Sequence, residues 1–417
     1  MSSESRPSEF ERSFPGESIA SGGGERPEEE SRRGSTEPVA SAYVHIPFCS
    51  YKCDFCDFAA FSGLQHMEGE YFDVLLKEIE TRLALVESPV ALDTIYYGGG
   101  TPGLVSPENI DRVHSLLSPL LSTAASDAPE ITLETTPHAI TAHKLESWRK
   151  TGINRLSIGV ESMHDEELKA IGRDHDKAQA LDAIALATAC GFDNINIDFM
   201  YGLPTQTLES WSQTLDEAIA LADRLDSVCH ISSYGLQLAE NSPLYSRFPK
   251  GTASYPDEGR FSEMLALMVE RLTTNGFIHY EVSNFARRGC RSRHNLTYWQ
   301  NRSYLAFGVG AHRYVDGRRS ANWRSFKRYL REPLGLELDE HIDERTRIVE
   351  AIILGLRMRE GIDLAAFERR YAIRLEEVYG RQIEKLMAGG FIRIAEGRLS
   401  ITDPALGVSN DVLVEFI

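Results

Sequence analysis

Between residues 43 and 236 the sequence alternates between short β-rich runs and amphipathic stretches, and this alternation constrains the fold more than any other feature. The runs are 43–47 (YVHIP), 94–98 (TIYYG), 130–135 (EITLET), 155–160 (RLSIGV), 195–199 (INIDF) and 230–236 (HISSYGL), with helix-like segments near 68–87, 107–121, 141–150, 176–190 and 207–223. In 207–222, Leu208, Trp211, Leu215, Ile219 and Ala222 recur at three- and four-residue steps, the spacing of one helix face. Thr207, followed by Glu209 and Ser210, makes a helix start. Strands alternating with helices imply an α/β fold, a parallel sheet covered by helices. Six units in roughly 200 residues match the ~30 residues of a βαβ unit. A closed eight-unit barrel would need more chain. A partial (βα)6 barrel and an open doubly wound sheet both fit, and either puts chemistry at the C-terminal ends of the strands.

The flanks have different characters. Residues 1–38 are rich in Ser, Glu, Gly and Arg, with nine glutamates and no apolar run. The segment reads as a disordered tail, and as neither a signal peptide nor an acid-poor transit peptide. Residues 39–335 form the expected core, whose last third, 240–335, is less regular and rich in Tyr, Phe, Trp and Arg. From 340 to 417 the sequence suggests a small winged-helix-like domain: helices at 342–358, 363–371 and 374–388, then a hairpin turning at Glu396–Gly397.

A net charge of −18 argues against a general nucleic-acid or membrane-surface role. No stretch approaches the ~20 apolar residues of a membrane span. Three of the six cysteines, Cys49, Cys53 and Cys56, lie within eight residues, while Cys190, Cys229 and Cys290 are scattered. A chain of this size without an export signal is expected in a reducing, cytoplasmic setting, with the clustered thiols kept for metal rather than disulfides.

Those three thiols stand as C-x3-C-x2-C in the loop after the first strand. Iron–sulfur clusters are held by Cys thiolates, and three of them leave one iron of a [4Fe–4S] cubane without a protein ligand. An open iron can take the amino and carboxylate groups of S-adenosylmethionine. A zinc site completed by His45 or another histidine is the competing reading. The second motif, GGGTP at 98–102, directly follows the second strand. Three glycines let backbone approach a ligand closely, although alone they would also make a tight strand–helix turn.

Taken together, the cysteine loop, the GGGTP segment and the six βα units resemble the radical S-adenosylmethionine superfamily. YVHIPFC, RLSIGVES, IDFMYGLPTQT, YEVSNFAR and HNLTYW are similar to its coproporphyrinogen dehydrogenase/HemW branch, over about residues 40–417. The oxygen-independent dehydrogenases carry another cysteine two residues beyond the third, where this chain has Phe58; HNLTYW at 294–299 matches the HNxxYW pattern of HemW-type heme chaperones.

The resemblance implies site residues. Cys49, Cys53 and Cys56 would hold the cluster. Tyr43 would pack near the sulfonium end of S-adenosylmethionine and Phe55 would touch the adenine. Gly99, Gly100 and Thr101 would bond the methionine moiety, Glu134 its amino group, Arg173 its carboxylate, and Asp198 the ribose hydroxyls. Glu161 stands where the family usually has Gln, and Thr136 where it usually has Asn; an acid still accepts hydrogen bonds but cannot donate as an amide does. His294, Tyr298 and Trp299 would contact heme. Twelve Lys or Arg and one acid, Asp316, between 287 and 331 fit heme propionates, an acidic partner or a solvated basic face; nucleic acid is not expected. Cys290, among arginines, stands out as a thiol that could react with heme.

The function expected is that of a heme chaperone passing heme to an acceptor protein, transiently a membrane protein, with an electron donor serving the cluster. The alternative is oxygen-independent coproporphyrinogen III dehydrogenase, the radical decarboxylation of porphyrin biosynthesis.

Overall fold

The computed structural model describes residues 38–122, 128–237, 242–249, 251–252 and 257–417; the 1–38 tail lies, but for Pro38, outside the described residues. Twelve strands form one sheet: β1 (Val39–Ile46), β2 (Val90–Gly99), β3 (Glu130–Thr135), β4 (Arg155–Glu161), β5 (Ile195–Tyr201), β6 (Val228–Gly235), β7 (Ile278–Glu281), β8 (Asn284–Ala286), β9 (Tyr304–Phe307), β10 (His312–Val315), β11 (Arg318–Asn322) and β12 (Leu336–His341). Their order is β12-β11-β10-β9-β1-β2-β3-β4-β5-β6-β8-β7. Strands β1 to β6 run parallel and adjacent in chain order. They coincide with the six runs of the sequence, and a helix follows each. The α/β expectation of six βα units therefore holds, with the hydrogen-bonded strand order ending at β12 and β7.

Both faces of the parallel strands are packed, which explains their near-continuous apolar runs. The helix Leu208–Arg224 is capped at Thr207, whose hydroxyl accepts from the Ser210 N–H while the Ser210 hydroxyl accepts from the Thr207 N–H. Trp211, Leu215, Ile219 and Ala222 are buried as the stripe requires, and Leu208, 38% exposed, falls outside it.

Residues 278–341 supply what the alternation could not show. Strand β9 pairs parallel with β1 on the side away from β2, so β1 is central. Strands β10 to β12 then extend that edge antiparallel, and β8 and β7 do the same beyond β6. A buried carboxylate ties this extension to the first helix (Glu68–Leu85). Glu78, fully buried, accepts from Arg82 Nε at 2.7 Å, the Gly308 N–H at 2.9 Å, Asn322 Nδ2 at 2.7 Å and the Tyr329 hydroxyl at 2.7 Å.

Residues 37–359 form one compact unit, and 360–417 are the described part of a second. The division between these compact units falls at 359/360, with the helix Glu344–Arg357 in the first. Its Arg347 carbonyl accepts from Asn301 Nδ2 at 3.4 Å, and its Glu350 pairs with Arg319 at 2.7 Å. The second unit holds helices Leu364–Tyr371, Leu375–Val378, Gly380–Ala388 and Ser409–Val414 and a three-stranded sheet of Ile362–Asp363, Arg398–Ile401 and Ile392–Ala395. Its hairpin turns at Glu396 (φ 52°) and Gly397 (φ 72°), positive at both central residues as a two-residue hairpin loop prefers. Among the described residues no helix is long and apolar enough to cross a membrane.

Replacing Glu78 by Ala strands four donors in the core. Denaturant unfolding is expected to show a loss of about 3–5 kcal/mol, the cost of removing one partner from a buried ionic network; an unchanged midpoint would show that the network contributes nothing.

Candidate cofactor-binding site

A cavity of about 460 Å³ opens at the C-terminal ends of β1 to β6 and is lined by the cysteine loop, Gly99 to Thr101, Glu134, Glu161, Arg173 and Asp198. The loop after β1 and the ends of β2 to β6 each contribute, as the parallel topology requires. The cysteine loop is anchored at both ends. The Phe61 N–H donates to the Pro47 carbonyl at 2.7 Å, and Gln65 Nε2 to the Cys49 carbonyl at 2.6 Å. Within the loop the Cys56 N–H donates to the Cys53 carbonyl at 3.0 Å. Arg247 pairs with Asp54, and Arg324 with Asp57 at 3.0 Å.

The glycines of GGGTP have a packing role that sequence reading missed. The Gly100 N–H donates to the Ile46 carbonyl and the Thr101 N–H to the Phe48 carbonyl, both at 2.8 Å. A β-carbon on Gly99 would stand 2.4 Å from the His45 ring, and one on Gly100 2.8 Å from the Phe48 carbonyl oxygen. Bare backbone is needed for β2 to end against the chain leaving β1. The Gly99 N–H is also occupied, donating to Glu134 at 2.9 Å. The docking carries the Thr101 hydroxyl to 3.8 Å from the Cys49 sulfur.

Charge in the cavity is unbalanced without a ligand. Glu134 accepts from the Tyr96 hydroxyl at 2.7 Å and from Gly99; burial nevertheless pushes its carboxyl up to about 7, against those hydrogen bonds. Burial also pushes Glu161 up to about 7, opposed by Arg173 at 3.6 Å. Glu161 sits at φ 69°, a left-handed conformation uncommon outside glycine and a mark of functional sites. Arg173 donates to the Gly159 carbonyl at 2.6 Å and approaches the Cys53 sulfur at 3.5 Å, yet its buried Nε has no partner among the described residues. Asp198 is held by Ser157 at 3.0 Å and Asn196 at 2.8 Å; burial raises its carboxyl, against the hydrogen bonds from Asn196, Ser157 and Ser232.

The donor set fits a cluster and a polar cofactor. Burial pushes the Cys49 thiol up to about 11 and raises Cys56 as well, so ionisation there calls for bound positive charge such as iron. Among the described residues no three His, Cys, Asp or Glu side chains are placed to hold a single metal ion; a cubane offers each thiolate its own iron. The orphaned Arg173 Nε suits a carboxylate, and Phe55 lines the cavity while packing on Met200, Leu203, Leu236 and Leu244.

Other residues singled out by sequence lie elsewhere. Tyr43 shares its face of β1 with His45, hydroxyl to Nδ1 at 3.0 Å. It lines a neighbouring cavity and stacks on Tyr96, which lines this one, at 6.1 Å. His294 is 1% exposed, not at the surface. Thr94 Oγ1 lies 2.7 Å from its Nδ1, the Tyr298 hydroxyl 2.7 Å from its Nε2, and its ring stacks on Tyr96 at 4.9 Å. Burial pushes it down to about 3. The half-buried Trp299 has Arg357 over its ring at 5.9 Å. Tyr96, the link from His294 to Glu134, was visible only as part of a β-rich run. Thr136, by contrast, lines the strand-end cavity, its hydroxyl 3.2 Å from His138 Nδ1. Cys290 and Cys229 are both free thiols; a hydrogen bond between them, together with burial, raises the Cys229 thiol. In the basic stretch, Arg287, Arg313, Arg318, Arg319, Arg324 and Arg328 pair with acids that lie outside it.

Comparison with known proteins identifies the family. Residues 43–218 match the radical SAM superfamily and 342–407 the HemN C-terminal domain. The heme chaperone HemW of Bacillus subtilis (strain 168) is 32% identical over 91% of this chain and 99% of its own length. Its Escherichia coli (strain K12) counterpart is 31% identical over 91% and 98%. The solved coproporphyrinogen III oxidase (HemN) of Escherichia coli, a radical SAM enzyme, superposes with a TM-score of 0.78 at 24% identity, covering 92% of this chain and 91% of that one, which shows a shared fold. With relatives this similar along nearly its whole length, the chain belongs to the HemW-like branch of the radical SAM superfamily.

Proposed function

We propose that the chain is a heme chaperone: it binds heme and transfers it to an acceptor protein, and it carries a [4Fe–4S] cluster on Cys49, Cys53 and Cys56 with exchangeable S-adenosylmethionine beside it. The observation that carries the reading is the cavity at the strand ends, where three thiols from one loop meet Thr101, Glu134, Arg173 and Asp198. The relatives named as heme chaperones support the cargo. Six free cysteines suit a reducing compartment such as the cytoplasm.

When bound, the cluster supplies one electron that can split a carbon–sulfur bond of the sulfonium. The chain's own residues bind and orient. Glu134, fixed by Tyr96 and Gly99, accepts from the cofactor's amino group; Arg173 takes its carboxylate; Asp198, held by Ser157 and Asn196, accepts from the ribose; Phe55 lies against the adenine. Glu161 keeps the Arg173 guanidinium in place. Phe58, 69% exposed at the cavity wall, stands where the related dehydrogenases place a further cysteine, which favours cargo binding over their decarboxylation.

Two measurements follow. With the cluster rebuilt anaerobically and S-adenosylmethionine and reductant present, the protein is expected to bind heme stoichiometrically and to leave coproporphyrinogen III unconsumed. Turnover to protoporphyrinogen would overturn the chaperone reading.

The second concerns pH. Glu134 is pushed up to about 7, so below that it is protonated and has lost an acceptor. A bound amino donor favours the ionised form and lowers its pKa, so binding expels a proton. Affinity for S-adenosylmethionine should climb as pH rises toward about 7, by at most about tenfold per unit, and level off above it, and Glu134→Gln should flatten the climb. Calorimetry in buffers of different ionisation enthalpy reads the proton; an unchanged slope in the variant would remove Glu134 from this role.

A further inference from the structure

A second cavity, of about 750 Å³, lies beside the first and shares Asp57 and Phe58 with it. Its volume is within the ~300–1,000 Å³ of small-molecule sites. The aromatic rings of Tyr43, Tyr298 and Tyr304 line it, together with Phe58. His312, on β10, is exposed and lines it too.

The histidines around this cavity differ in one decisive respect. An iron ligand needs a ring nitrogen with a free lone pair. His45 spends Nδ1 on the Tyr43 hydroxyl and Nε2 on the Ala59 carbonyl, each at 3.0 Å. His294 spends both nitrogens on Thr94 and Tyr298 and is 1% exposed. His312 has no hydrogen-bond partner among the described residues, and its imidazole is open to the cavity. Arg324, also in the wall, engages Asp57 through Nη2, which leaves the rest of its guanidinium for another carboxylate.

We propose that this second cavity is the heme site, with His312 the protein ligand to the iron, the Tyr43, Tyr298, Tyr304 and Phe58 rings against the macrocycle, and Arg324 on a propionate. The assignment rests on the heme-chaperone reading and moves the iron ligand from the HNLTYW segment to β10. His294 then serves the neighbouring cavity instead, where its ring backs Tyr96, whose hydroxyl fixes Glu134. The shared wall of Asp57 and Phe58 places heme next to the cofactor without overlapping the residues that hold it.

The test is a hemin titration of the full chain with its cluster in place, for wild type, His312→Ala and the exposed-histidine control His143→Ala. Wild type and the control should give the absorption and electron-paramagnetic signature of imidazole-ligated heme. His312→Ala should lose that signature and bind at least about tenfold more weakly, and added free imidazole should restore the spectrum. Unchanged affinity and spectrum in His312→Ala would overturn the site while leaving the chaperone reading intact. Absence of heme binding by wild type would overturn both. His312 is exposed, and an unchanged far-ultraviolet circular dichroism spectrum and cluster absorption in the variant separate ligand loss from misfolding.

Discussion

The close approach of β2 to the chain leaving β1 governs the geometry of the site. Two backbone hydrogen bonds, Gly100 to Ile46 and Thr101 to Phe48 at 2.8 Å each, hold the contact, and it exists only because Gly99 and Gly100 have no side chains to strike His45 and the Phe48 carbonyl. From it follow the placement of Thr101 beside Cys49, the donation from Gly99 to Glu134, and the position of the whole cysteine loop over the strand ends. Glycine in this motif serves close backbone packing first, and ligand access as a result.

Around that contact the protein concentrates buried charge it does not fully neutralise. Glu134 and Glu161 are both pushed up to about 7 by burial, Asp198 is raised as well, and the buried Arg173 Nε has no partner among the described residues. Such arrangements cost stability in the empty protein and are characteristic of sites built for a charged ligand. A zwitterionic amino acid joined to a ribose offers what each of these groups lacks. Glu161 in place of an amide is tolerable here because Arg173 stands 3.6 Å away.

Much of this was legible in the sequence. The six runs are the six parallel strands, Thr207 and Ser210 form the reciprocal cap, and Glu396–Gly397 is the hairpin turn, because strand, cap and turn signals are local. The pieces that sequence could not supply are non-local. Short strands such as Tyr304–Phe307 have too few residues to show a period, and their pairing partner β1 lies some 260 residues away. The burial of His294, on the short helix Arg293–Trp299, depends on Thr94 and Tyr96 of β2. The basic stretch from 287 to 331 left its counter-charges open because three of its acidic partners, Asp57, Glu78 and Asp223, are far off in the chain.

On the function proposed above, the two neighbouring cavities would divide the labour, the strand-end one taking the cluster and its nucleotide and the aromatic one the cargo, with Phe58 in the wall of both. All of it depends on a cubane bound by three thiolates, with its fourth iron open to the nucleotide. Mössbauer spectroscopy of protein rebuilt with iron-57 tests this directly. One iron in about four should change its isomer shift when S-adenosylmethionine is added, the other three staying as they were. Four irons that remain equivalent and indifferent to the nucleotide, or a thiolate-bound zinc in their place, would contradict the account.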